Sequence, residues 1–131
     1  MALKVELKPG EKFILGDSVV TNDDQRTRLF IEGTAPILRE KDILTPADAT
    51  SPARRIYLSV QLLYLSRDLK GIQDDYFTFV RDIIQAAPST VPYVTRISTL
   101  ILNNQLYAAL KEARKLVEYE RELVAHATSG G

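Results

Sequence analysis

Every apolar run with a period of two in this chain lies before residue 45, and every run with a helical period lies after it. Leu3, Val5 and Leu7 alternate with Lys4, Glu6 and Lys8, the pattern of a half-buried strand. Pro9-Gly10 turns the chain into Phe13-Ile14-Leu15, and Gly16-Asp17 feeds a second short run at Val19-Val20. A polar turn at residues 22–25 precedes a strand at residues 28–32, and Pro36 limits Ile37–Arg39 to an edge or strand-start position. The apolar residues of these runs, Phe30 among them, read as sheet core. No strand follows a helix, so a parallel crossover has nowhere to form. The segregation predicts an α+β fold: a small antiparallel N-terminal β-sheet, then a C-terminal bundle of three to four helices. The boundary falls between a β-rich unit at residues 1–45 and a helical region at residues 46–131.

The helical part is punctuated clearly. Thr45-Pro46-Ala47-Asp48 carries a cap residue, a first-position proline and an acid, which predicts a short helical turn. Ser51-Pro52 opens a longer helix over residues 52–69, apolar on more than one face and so expected between partners, with Gly71 as its stop. Asp74-Asp75 sit near the start of the next helix, residues 72–86, where the dipole favours acids, and Pro88 ends it. A third helix opens at residues 89–92. Asn103-Asn104 then break the path before a last helix at residues 105–126. In that helix Leu106, Leu110, Ala113, Val117 and Val124 form a stripe, widened by Ala109, Leu116 and Leu123. Ser129-Gly130-Gly131 reads as a frayed tail.

Charge and residue usage exclude several functions. Lys+Arg and Asp+Glu both number 17, so no global positive charge argues for nucleic acid, and an RNA site has to be a local patch. Cysteine is absent, which removes disulfides, thiolate catalysis and thiolate-ligated metals and fits a reducing compartment. No apolar run suits a signal peptide or a membrane helix, so a soluble cytoplasmic chain is expected, with no membrane partner. The one histidine, His126, lies near the C-terminal end and reads as a solvated helix-end residue. Asp23-Asp24 and Asp74-Asp75 sit where turns and helix starts favour acids. No glycine loop cradles phosphate. Catalysis, a metal and a cofactor are therefore not expected.

Four strings, LKVELKPGE, ILGDSVVTN, DQRTRLFIEG and APILREKDIL, resemble the FlbT family over nearly the whole chain, APILREKDIL most specifically. That family regulates flagellin synthesis after transcription. The resemblance implies action on the leader of the flagellin message, affecting its translation and lifetime, alongside the FlaF protein. Residues 1–45 also resemble CsrA, a small β-sheet protein that binds messenger leaders. Gly10-Glu11, Leu15-Gly16-Asp17, Ala35-Pro36 and Arg39-Glu40…Ile43 carry that likeness. In CsrA the first and last strands form the surface that grips a GGA-containing loop, and Arg39 corresponds to the arginine of its last strand. Leu7 stands where that family has an arginine, with Lys8 at the next basic position. A CsrA-like sheet is completed by strand exchange between two chains, so the resemblance also implies a homodimer.

The residues expected to face RNA are Lys8, Arg26, Arg28, Arg39 and Lys41. Over residues 1–50, seven basic residues stand against nine acidic ones, so each of the five also reads as an ordinary solvated charge. The competing expectation is a protein adaptor, whose helices hold flagellin, FlaF or another export factor and which does not touch RNA directly. Broad apolar stripes with Tyr57, Tyr64, Tyr107 and Tyr119 motivate it.

Overall fold

The computed structural model describes residues 2–66 and 70–129, which divide into two compact units with the boundary between Ile43 and Leu44. The fold is α+β. The first unit holds five strands: β1 (Leu3–Leu7), β2 (Lys12–Leu15), β3 (Ser18–Thr21), β4 (Thr27–Ile31) and β5 (Ile37–Arg39). They form two antiparallel sheets, a ribbon of β1 with β4 and a three-stranded sheet in the order β3-β2-β5. Within the chain every strand has an antiparallel partner, β1 with β4 and β2 with both β3 and β5.

Turn chemistry sets the registers. Glu11 N–H donates to Lys8 O at 3.1 Å across Pro9-Gly10, with Gly10 at φ +72°. Proline followed by a left-handed glycine is the type II pattern. Leu15 pairs with Ser18 across Gly16-Asp17, with Gly16 at φ +64°, which matches the right-handed twist of a tight hairpin. Pro36 sits just before β5, at the open edge of its sheet, where a missing N–H costs no ladder bond.

The core of this unit is Val5, Leu7 and Phe13, with Leu15, Val20, Leu29, Ile31 and Ile37 packed against it. Strand parity decides which residues enter it. Leu29 and Ile31 point inward, so Phe30 between them points out and is 66% exposed, and Val19 likewise stands outside Val20. The expectation that Phe30 and Val19 belong to the core is thereby corrected: consecutive strand residues cannot share a face.

The second unit contains α1 (Pro52–Leu65), α2 (Lys70–Ala86), α3 (Val91–Leu102) and α4 (Leu106–Ser129). A 3₁₀ turn at Pro46–Asp48 precedes them, with the Thr45 hydroxyl donating to Asp48 at 2.8 Å. Helix α1 packs against α2 and α4, and α3 packs against α4. Lying between two partners, α1 buries Ala53, Ile56, Tyr57, Val60 and Leu63. Burial pushes the Tyr57 hydroxyl up to about 12, with Tyr107 adding to the shift. On α2 the buried Tyr76 shares a 2.8 Å hydrogen bond with Ser98 of α3.

Two polar devices fix α1. Ser51 accepts from Arg54 N–H at its N-terminus, and Glu120 of α4 reaches the same turn, one oxygen on the Ser51 hydroxyl and the other accepting from Ala53 N–H at 2.9 Å. A carboxylate from another helix thus satisfies a donor that α1 leaves open. The buried Gln61 amide accepts from Leu44 N–H at 2.8 Å and donates to Leu44 O at 3.0 Å, pairing as a strand neighbour does.

Several boundaries differ from expectation. Helix α1 ends at Leu65 rather than at 69, and residues 67–69 lie outside the described residues. Gly71 falls within α2 instead of stopping its predecessor, since a glycine weakens a helix without ending one that tertiary packing supports. Ser129 belongs to α4, while residues 130–131 are outside the described residues. The buried stripe of α4 is Ala109, Leu110, Ala113 and Leu116, and Val124 is 59% exposed. Asn104 ends α3 at φ +57°, with Asn104 N–H on Ile101 O and Gln105 N–H on Leu100 O. That pairing is the Schellman motif, in which asparagine takes the place usual for glycine.

Two stability outcomes follow from this packing. Phe13 is 1% exposed, and Phe13→Ala should cost about 3–5 kcal/mol. A core this small has little reserve, so amide signals of residues 2–43 should collapse in the full-length variant while helical circular dichroism persists. Glu120→Ala should remove about 1–2 kcal/mol from the helical unit by stranding the Ala53 donor. Denaturant unfolding followed at 222 nm measures it.

Candidate functional site

Glu11 organises the surface around the β1–β2 turn. One carboxylate oxygen accepts from Lys8 N–H at 2.9 Å and closes the turn, and the other faces Arg39 Nη2 at 3.5 Å. The same Nη2 donates to Glu6 O at 2.8 Å. One guanidinium on β5 therefore ties together the β1 backbone and the turn that follows it. Asn22 secures that turn from the other side, its amide donating to Lys8 O and to Gln25 O, each at 2.8 Å, while Gly10 N–H donates to Asp23 O. The Lys8 N–H bond holds the Glu11 carboxyl below its usual range; partial burial opposes the shift, and Arg39 reinforces it.

These bonds shape an open cavity of about 510 Å³ lined by Lys8, Pro9, Gly10, Glu11, Arg39, Glu40 and Lys41. Of the five residues expected to face RNA, three meet here: Lys8 and Lys41, both exposed, and Arg39, whose side chain is 43% exposed. Three cations stand against two carboxylates, one of which is already engaged with Arg39. The cavity rim is therefore a local basic patch on a unit with no overall positive charge.

The other two lie elsewhere on the unit. Arg26 and Arg28 line a separate recess of about 350 Å³ with Glu6, Leu7 and Thr27. Arg28 is an exposed partner of Glu6 at 3.5 Å, and Lys4 reaches the same carboxylate at 3.4 Å. The holding roles of the Glu11 and Asn22 side chains escaped the sequence reading because their partners are backbone atoms and, for Glu11, a guanidinium 28 residues away. Among the described residues no group of three or more His, Asp or Glu stands ready to hold a metal ion.

The family model for flagellar protein FlbT matches residues 3–124. A probable flagellum biosynthesis repressor protein FlbT 1 of Bradyrhizobium diazoefficiens is 56% identical over 124 residues, covering 94% of this chain and 85% of that protein. The corresponding protein of Rhodopseudomonas palustris strain TIE-1 is 49% identical, covering 95% and 99%. The flagellum biosynthesis repressor protein FlbT of Caulobacter vibrioides strain ATCC 19089 is 40% identical, covering 99% and 94%. No solved structure matches the chain.

The depressed Glu11 carboxyl makes the turn acid-sensitive. A lowered folded-state value means that Glu11 contributes stability above its ordinary value of 4.5 and loses it as pH falls through the folded one. Amide signals of Lys8, Gly10, Glu11 and Arg39 should broaden or shift below pH 4.5 in the native protein. Glu11→Gln should lower the midpoint near neutral pH and flatten its acid limb; parallel pH curves for the two proteins would refute this assignment.

Proposed function

This chain belongs to the FlbT family, and on that premise we propose that it represses flagellin synthesis after transcription by binding the 5′ leader of the flagellin message. The relatives' names, flagellum biosynthesis repressor, support a regulatory role in flagellum synthesis and its negative sign. The observation that carries the RNA reading is the meeting of Lys8, Arg39 and Lys41 around one open cavity between the first turn and the last strand. Cations in this arrangement neutralise backbone phosphates, and an exposed guanidinium edge or strand end reads an unpaired base. Binding lowers translation by occupying the leader and alters the message's lifetime; neither effect calls for catalysis. The proposed site of action is the cytoplasm, where the message is translated. Among the described residues no helix is long and apolar enough to cross a membrane.

A second reading draws on exposed apolar side chains of the helical unit, Leu102 at 82% and Phe77 at 53%. In it the helices hold flagellin or an export factor such as FlaF, and the effect on the message is indirect.

Titrating purified protein against a labelled flagellin leader at several salt concentrations separates the two. Direct binding weakens as salt rises. Lys8→Ala with Lys41→Ala should lower the slope by about 1.4, near 0.7 per phosphate contact on a single strand. These two sites are better test positions than Arg39, whose removal also frees Glu6 O and Glu11. Salt-insensitive or absent binding, together with co-purification of a flagellar protein, overturns the RNA reading in favour of the adaptor.

A further inference from the structure

The outer face of the β1–β4 ribbon carries a ring that the fold does not use. Phe30 is 66% exposed, whereas its neighbours Leu29 and Ile31 pack on the core. The register sets Lys4 directly across from Phe30 and Glu6 across from Arg28. By strand parity all four share the outward face, and opposed side chains in such a pair start about 5 Å apart. The ring is thus bracketed by Lys4 on the facing strand and Arg28 two residues back on its own. Glu6 holds both cations, at 3.4 and 3.5 Å, and so orders them beside the ring. Arg26 extends the basic line into the adjoining recess.

Resting on the RNA reading above, we propose that this face is a stacking platform for an unpaired base: Phe30 takes the face of the base, while Lys4 and Arg28 take the flanking phosphates. Charge complementarity selects this occupant. A protein hot spot needs an apolar pocket or a contiguous apolar core around its aromatic anchor. On the two strands every outward position beside the ring is charged, Lys4 and Arg28 to the one carboxylate of Glu6, while beyond the strand ends Glu32 offsets Arg26. A flat ring between cations matches the alternation of base and phosphate along a single strand. Incoming phosphates compete with Glu6 for its two partners, so binding exchanges one set of ion pairs for another. The platform gives the protein a preference for unpaired over paired RNA that phosphate contacts at the Lys8–Lys41 cavity do not supply.

The chain contains no tryptophan, so Phe30→Trp places a single indole at the site, which can be excited apart from the six tyrosines. With a labelled flagellin leader, Phe30→Ala should weaken binding roughly ten-fold or more without changing the salt slope, because stacking releases no counterions. Phe30→Trp should bind near wild-type affinity, with emission quenched by the leader and unaffected by a fully paired duplex of the same sequence. Because Phe30 is exposed, amide spectra should show both variants folded. Unchanged affinity in Phe30→Ala with unquenched Phe30→Trp overturns the platform while leaving the RNA reading intact, provided the Lys8 and Lys41 changes still act. If wild-type protein binds no leader, both fall. If only sedimentation of the purified chain changes in Phe30→Ala, the ring is a self-association contact and the platform is overturned.

Discussion

The β unit depends on one carboxylate. Glu11 answers a backbone donor at the first turn with one oxygen and a guanidinium on the last strand with the other. Neither bond is strong alone, since both lie near water, and the pairing with Arg39 is screened as surface ion pairs are. Their value is in what they join. The five strands fall into two sheets, with no ladder bonds running between them. Arg39 reaches from the three-stranded sheet to the Glu6 carbonyl of the ribbon, adding a polar link to the apolar contacts of Val5, Leu7 and Phe13. The basic cavity is the outer surface of that link.

The helical unit uses the same strategy with different parts. Its helices are joined mainly by burial, but the position of α1 is set by the Glu120 carboxylate at its first turn and the Gln61 amide on Leu44. In both units a few polar side chains bond backbone atoms far away in sequence. Directional bonds of this kind choose among apolar packings that are otherwise close in energy.

Much of the architecture was legible because it is local. Alternation along Leu3–Leu7, the Pro9-Gly10 and Gly16-Asp17 turns, the Ser51-Pro52 helix start and the break at Asn103-Asn104 each act within a few residues, and the structure places elements where they point. What could not be read was non-local. The division of five short strands into a ribbon and a three-stranded sheet depends on pairings such as β1 with β4, separated by the intervening hairpin. Arg39 was singled out as a contact residue, yet its bond to a carbonyl 33 residues away is invisible to any local pattern. Gly71 misled for the opposite reason, a strong local signal outweighed by packing. Of the site, the resemblance to CsrA put Lys8 and Arg39 on one surface, but the separation of Arg26 and Arg28 from the cavity of Lys8, Arg39 and Lys41 shows only once the strands pair.

The double duty of Arg39 has a consequence for substitution. A lysine there would keep the positive charge but lack the planar fork that serves a carbonyl and a carboxylate together. A substitution at position 39 therefore acts first on the β unit itself. The solvent-facing lysines at positions 8 and 41 lack such a side-chain tie, so a change there alters the surface without loosening the scaffold.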